Sequence, residues 1–544
     1  MAMLAGYGLL AISDWYTHKP RLTPLSAAVA LFFLSFGIST FTGVDAYHSF
    51  WDNHERMLGF FTILHYAVYF FICSAVIKEW SAWRRALRVF LVAGSLVMIV
   101  GLIQVMSPMF LLNQGDPRII GTLGNAIYMG GYGLFLMFLA LLLFVREEER
   151  YWKIAYAVMG VLGAVGMFFS GTRGSVLGLA AALFVCCVAY ALTAQDTRKR
   201  TWFGGAFLVL VVLCSVLYGF RKTNFVMNIP AVGRAVNTSW SDFKQSPRYI
   251  AWNIAIKAWE EKPVFGWGPN NFYFAFNKYY NPRSLDFGYG ETWFDNAHNI
   301  IVNTMAVQGT VGILTYLGIF GAAFFVTIRA YRTQRLDRHT CIIGCAFLVA
   351  HLVQNVTVFE NITSYLYFVF WLAFLNRVSM SNDEHQDMAA VRTVGNGTAT
   401  VVAIVASLLI FVFNIQPARA NMQSLAVLRN LGTDPEGSFG DVERMYDISF
   451  SPHIDDIRSD LARSVASLLM NTEIRVTPEA KRQYFAATYQ ALKKVMDIHP
   501  LDIRIHFLMT QLLQNEAIET RDVRYLQEAE QVITHAISYS PERQ

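Results

Sequence analysis

The stretch that begins Arg221-Lys222-Thr223-Asn224 and ends Asp295-Asn296-Ala297-His298-Asn299 decides how the rest of the chain is read. It is the only long polar interruption before residue 416 in a sequence otherwise apolar enough for lipid. Aromatic residues crowd it (Trp240, Trp252, Trp259, Trp267, Tyr279, Tyr280, Trp293), as do basic ones (Arg234, Lys244, Arg248, Lys257, Lys262). Ordering so long a connection costs conformational entropy that binding or catalysis must offset. It reads as the roof of an active site at a membrane surface.

Composition sets the class. Of 544 residues, 54% are hydrophobic and 15% charged, against about 25% charged in soluble proteins. The chain is therefore an integral membrane protein, and a net charge of +5 does not point to nucleic acid. All six cysteines (Cys73, Cys186, Cys187, Cys214, Cys341, Cys345) fall in or beside apolar runs, which argues against a disulfide framework or a thiolate metal site. Met1 to Ile12 is apolar without the basic flank and small-residue cleavage site of a signal peptide. It reads as a shortened first span or an interfacial segment.

A membrane-crossing helix needs about 20 predominantly apolar residues. Such runs occur near 25–42, 57–77, 86–106, 123–145, 152–170, 174–194, 202–220, 299–328, 340–358, 362–378 and 398–415. The expected fold is thus an all-α polytopic protein of 11–12 spans. Basic residues in short loops mark the cytoplasmic side. They gather at Lys19 and Arg21, Lys78 to Arg85, Arg146 to Lys153, Arg198 to Arg200 and Arg329 to Arg338, whereas the alternate connections 43–56, 107–121, 171–173 and 359–361 carry one each or none. On this pattern both the 221–298 loop and everything after Ile415 lie outside.

Residues 416–544 change character and read as a second, extracytoplasmic domain after a membrane domain of 1–415. Apolar residues return at helical spacing at Tyr484, Thr488, Ala491, Leu492 and Val495. Ser451-Pro452, His499-Pro500 and Ser540-Pro541 echo one another, at intervals longer than the roughly 34-residue tetratricopeptide period. Divergent helical hairpins of that kind are expected. They would serve as a docking surface for a protein partner or acceptor, or as a cap on the external loop.

Three positions stand out for chemistry. Arg173, in Ser170-Gly171-Thr172-Arg173-Gly174-Ser175, sits alone in a tight external turn. A snorkelling anchor is its ordinary reading, but an arginine held near lipid is costly unless it faces a cavity or a partner. Arg248 opens a short amphipathic helix after Pro247; it is either a surface charge or a planar fork suited to a phosphate. The following Gly266-x-Gly268-Pro269 segment makes a turn and, with no βαβ unit around it, is no dinucleotide fingerprint. His298 begins a helix at the membrane face, either as a hydrogen-bonded structural residue or as a proton acceptor near neutral pH. Asp295, Glu291 and Asp286 precede it as orienting groups or plain loop charges, and no second histidine at metal-ligand spacing accompanies it.

Together these pieces resemble the O-antigen ligase and polymerase superfamily of bacterial envelope glycan enzymes. The matching stretches are Ser170–Leu179, Arg248–Trp252, Lys262–Phe272 and His298–Leu314, in order around one external loop. Many relatives carry glutamate where this chain has Gln308. The resemblance covers roughly residues 25–415, and members with a tetratricopeptide-like tail are also similar. It implies a GT-C-like enzyme of the inner membrane that needs no metal or other cofactor. Such an enzyme transfers a glycan from an undecaprenyl-pyrophosphate carrier to an acceptor hydroxyl, of lipid A-core or another surface molecule, with inversion. On that reading Arg173 and Arg248 hold the pyrophosphate and His298 is the catalytic base, with Asp295, Glu291 and Asn299 orienting it or meeting the acceptor. A polymerase or a protein O-oligosaccharyltransferase would use the same donor. A transporter is a third reading, weakened by the scarcity of acidic residues at mid-span and the lack of mirrored, interrupted helices.

Overall fold

The computed structural model describes residues 1–107, 118–380, 393–448, 451–471 and 476–543. Most of the 107–121 connection, expected outside, thus lies beyond the described residues. Every regular element among those described is a helix. Helices occupy all eleven apolar runs, and eight are long and apolar enough to cross a membrane. The other three are Phe60–Val76, Arg338–Asn355 and Ile362–Ser379. The N-terminal helix Ala2–Ser13, at about 1.5 Å per residue, rises well short of a roughly 30 Å hydrocarbon core.

The core of the bundle is the helix Ala126–Val145, which packs against Arg150–Phe169, Trp80–Met106, Arg338–Asn355 and Ile362–Ser379. Burial follows distance from it. The Thr197–Gly219 helix touches mainly its neighbour Arg173–Thr193 and has no buried residue. Its apolar side chains point outward, as lipid contact requires. Gly174 and Gly178 let Arg173–Thr193 lie close to Arg338–Asn355, since a Cβ on Gly178 would stand 2.5 Å from the Ala350 carbonyl. Small residues at such crossings replace the hydrophobic driving force that lipid does not supply.

The two ends of the bundle differ in charge. At one end Arg146 stacks 3.7 Å over Trp80 and pairs with Asp337, while Arg338 bonds the Thr193 carbonyl. The opposite end carries the 221–298 segment, which folds as short helices (Asn224–Met227, Val232–Val236, Trp240–Lys244, Pro247–Glu261, Phe272–Lys278) over the bundle. The end with the loop also holds a buried polar knot. Glu360 accepts from Tyr316 (3.0 Å) and Asn355 (2.9 Å) and lies 2.9 Å from His351 Nε2. It fixes the 356–361 turn that presents Phe359.

The tail begins inside one continuous helical rod, Asn396–Thr433. Residue 415 marks a change of surroundings. Up to Ile410 the rod buries nothing; after it Pro417, Ala420, Ser424, Val427 and Leu431 pack into the tail. A π-turn at Phe411–Ile415 sits just before Pro417, whose missing N–H breaks the regular ladder. Helices Phe439–Tyr446, Ile454–Met470, Pro478–Ile498, Ile503–Thr520 and Val523–Tyr539 then pack on one another, each against its neighbours in the chain. All three echoing proline corners dock on the membrane part. The Pro452 carbonyl accepts from Tyr47 (2.9 Å), His499 pairs with Asp45, and Ser540 donates to the Asn277 carbonyl (2.7 Å).

Candidate functional site

The Gly-rich turn and the helix after His298 are one construction. Helix Ile300–Arg332 is interrupted at Gly309, where φ is +66°. A break at that depth leaves backbone groups without partners, which lipid cannot satisfy. The 262–269 turn supplies them. Thr310 donates to the Pro263 carbonyl (2.7 Å), Val311 to that of Val264 (3.2 Å), Trp267 to that of Ala306 (3.0 Å) and Gly268 to that of Val307 (2.8 Å). The approach is backbone on backbone. A Cβ on Gly309 would stand 2.3 Å from the Val264 oxygen, and one on Gly266 2.4 Å from the Val307 carbonyl carbon. The motif thus clamps helix Pro247–Glu261 to helix Ile300–Arg332. Trp252 adds a bond from its indole N–H to the Ala297 carbonyl (3.0 Å), so Arg248 and His298 are held in a fixed relation.

Arg173 and Arg248 line one cavity of about 640 Å³, together with Arg118 and Arg234. Each is steadied by a neighbour. Arg173 donates to Thr238 Oγ1 (2.7 Å), Arg248 to the Thr357 carbonyl (3.1 Å) and Arg234 to the Gly171 carbonyl (3.3 Å), while Arg118 packs against Gly171. A guanidinium has five N–H donors, so the single bonds of Arg173, Arg234 and Arg248 among the described residues leave donors of each fork for a ligand. Among the described residues Asp242 is the one carboxylate in the lining. Burial, then the Arg173 charge, pushes the Arg248 pKa down, with Glu291 opposing. Four cations gathered this way repel one another, and a bound polyanion would relieve the repulsion.

His298 stands beside this cavity with φ at +54°, a left-handed conformation that costs a non-glycine residue about 1–3 kcal/mol. Asn296 holds it there: its side-chain oxygen accepts from the His298 N–H (2.9 Å), and its carbonyl faces the ring Nδ1 (2.9 Å). The imidazole packs edge-on between Phe294 and Phe359, with centroids at 5.6 and 5.2 Å. Burial lowers its pKa, the charges of Arg248 and Arg56 push the same way, and the Asn296 carbonyl and Asp295 oppose them. The ring is therefore neutral near pH 7, as a base must be.

The neighbours expected to orient His298 divide. Asp295 acts on it through space, but its own partner is Arg56, whose guanidinium also stacks 4.6 Å over Phe359. Asn299 caps helix Ile300–Arg332, accepting from the N–H groups of Ile301 and Val302. Glu291, in a 3-10 turn at Tyr289–Glu291, lies within electrostatic reach of Arg248. Sequence reasoning missed Arg56 and Arg118 as site residues. A signal existed: Arg56, Arg118 and Arg173 are the lone Lys or Arg residues of three otherwise uncharged or acidic connections, and all three lie around this site.

A protein-family model described as "O-Antigen ligase" matches residues 158–317. That stretch contains Arg173, Arg234, Arg248, the Gly-rich turn, His298 and the helix break at Gly309. No curated protein matches the chain at a significant level.

Proposed function

We propose that the chain, whose residues 158–317 match the O-antigen ligase family model, transfers a glycan from undecaprenyl pyrophosphate to an acceptor hydroxyl on the outer face of the bacterial inner membrane. The observation that carries this reading is the cavity where Arg173 and Arg248, from two separate sequence motifs, meet Arg118 and Arg234 next to a neutral histidine.

The chemistry follows from those groups. The acceptor oxygen attacks the anomeric carbon from the side opposite the phosphate, so the configuration inverts. The bond between that carbon and the phosphate oxygen breaks, and the pyrophosphate leaves with the electron pair. Fixed guanidinium groups stabilise the charge that builds there, and they need no reorganisation to do so. The acceptor proton passes to His298 Nε2. The lipid tail of the donor lies against the apolar outer surface of the bundle near Leu177. Lipid A-core is the acceptor of the ligase reading; a growing polymer or a protein hydroxyl would accept through the same geometry.

Purified protein in nanodiscs, given a defined lipid-pyrophosphate glycan and an acceptor, should yield the joined glycan and free undecaprenyl pyrophosphate. Failure to bind the donor, or unchanged transfer when Arg173 and Arg248 are both alanine, would refute the proposal. Envelope glycan profiles of a deletion strain sort the acceptors: loss of capped surface lipid with accumulated carrier-linked polymer selects the ligase.

A further inference from the structure

A second cavity, of about 570 Å³, lies between the membrane part and the tail. Three observations bear on its occupant. It adjoins the reacting centre, because Asp295 lines it, three residues before His298, and is paired with Arg56, which stacks on the Phe359 ring that His298 also packs against. Its sign is reversed. Seven carboxylates line it, among them Asp52, Asp295, Asp456 and Asp460, against the three guanidinium groups of Arg56, Arg463 and Arg504 and the imidazoles of His48, His54 and His499, of which His499 is held protonated by Asp45 and Asp455. Among the described residues, the arginine cavity has four guanidinium groups to one carboxylate. Finally, two buried donors in its wall, Trp293 Nε1 and Asn270 Nδ2, have no hydrogen-bond partner among the described residues.

We infer that this cavity receives the acceptor, and that what it holds is a phosphate-free saccharide end whose hydroxyl is presented to His298. The inference rests on the glycan-transfer reading above. A carboxylate needs donors and an indole or amide N–H needs an acceptor, and a sugar hydroxyl is both. A phosphate offers acceptors only and would face the carboxylates at close range, where like charges repel one another strongly because solvent is thin. Beside those charges the lining presents the aromatic faces of Tyr273, Trp293 and Phe507, and polar groups set among aromatic faces suit the hydroxyl edge and the C–H face of a sugar ring. Half of the lining (Asp456, Asp460, Arg463, Gln511 and their neighbours) comes from the tail. The tail is therefore a specificity element of the enzyme as well as a cap.

Saturation-transfer NMR on the full chain in nanodiscs tests this without catalysis. The probes are neutral tri- to pentasaccharides of hexoses and N-acetylhexosamines, the same oligosaccharides carrying a phosphate, and serine- and threonine-rich peptides of similar length. Neutral saccharides should bind at least tenfold more tightly than the phosphorylated set, and peptides should not compete. Filling the cavity from the tail with Gln511→Trp or, separately, with the exposed Arg463→Trp should each weaken saccharide binding at least tenfold. Arg173→Ala should lose donor binding yet keep the saccharide signal, which separates failure of this assignment from failure of the donor site. Equal or tighter binding of the phosphorylated probes, displacement by peptide, no saccharide binding, or indifference to both tryptophan variants would overturn it.

Discussion

Nδ1 of His298 lies 2.9 Å from the backbone carbonyl of Asn296. A carbonyl only accepts, so Nδ1 carries the proton and Nε2 presents the lone pair. The tautomer needed for proton abstraction is thus set by the main chain two residues earlier, and the acidic groups nearby have other partners.

This predicts the pH profile. The His298 pKa lies below its ordinary 6.5, so kcat at saturating donor should be flat around neutrality and fall only as pH drops below that value, where the ring protonates. Arg56→Gln removes a nearby cation and frees Asp295, both of which raise the pKa, so the acid limb should move to higher pH. His298→Ala should lower transfer about 10²–10⁴-fold while donor binding persists. A near-normal rate in that variant would return His298 to a structural role.

The arginine cavity predicts donor affinity. Arg173→Ala or Arg248→Ala should each cost about 2–5 kcal/mol of donor binding, by analogy with truncating one member of a desolvated charge pair. Lysine should rescue poorly because it lacks the planar fork. Exposed Lys244, Lys257 and Arg283 are the controls and should be near neutral. Titration with a lipid-pyrophosphate analogue reads all five positions.

The helix break predicts a stability effect far from any ligand. Gly309→Ala imposes a left-handed alanine, about 1–3 kcal/mol, and sets a methyl 2.3 Å from the Val264 oxygen. Thermal unfolding in detergent should show a large loss, with activity falling alongside. Gly318→Ala, in the same helix with nothing within 4 Å of the added carbon, should be neutral or slightly stabilising.

Docking of the tail should weaken in alkali. Burial opposes protonation of His499, but its hydrogen bonds and charge contacts with Asp45 and Asp455 outweigh burial and raise the pKa to about 10. A raised folded pKa means the contribution is complete below about pH 6.5 and is lost as pH climbs towards 10. Limited proteolysis within 434–438 should therefore accelerate over that window, and His499→Ala should show the fast rate already at pH 7.

Topology is checked with reporter fusions. Those at Lys278 and Arg482 should behave alike, as external, and opposite to one at Arg335. A cytoplasmic signal at either of the first two would invert the site's orientation and with it the whole functional reading.

Hydropathy is a property of about twenty consecutive residues, so the spans, the grouping of basic turns and the helical tail were legible in the amino-acid sequence before any packing was known. Arg173, Arg248 and His298 were legible as candidates because each sits in a short local motif. Other features depend on contacts between residues hundreds of positions apart. Arg56 meets Asp295 across 239 residues and Tyr47 meets Pro452 across 405; neither partner carries a local mark of the other. The same holds for the Gly-rich turn, which read as a loop feature and proves to complete the backbone hydrogen bonds of a broken helix. Sequence alone determined which segments are apolar enough to enter a membrane and which residue types could do the chemistry. Tertiary structure decided which of them meet, because convergence is set by how helices pack around Ala126–Val145, where close approach depends on the side chains of both partners at once.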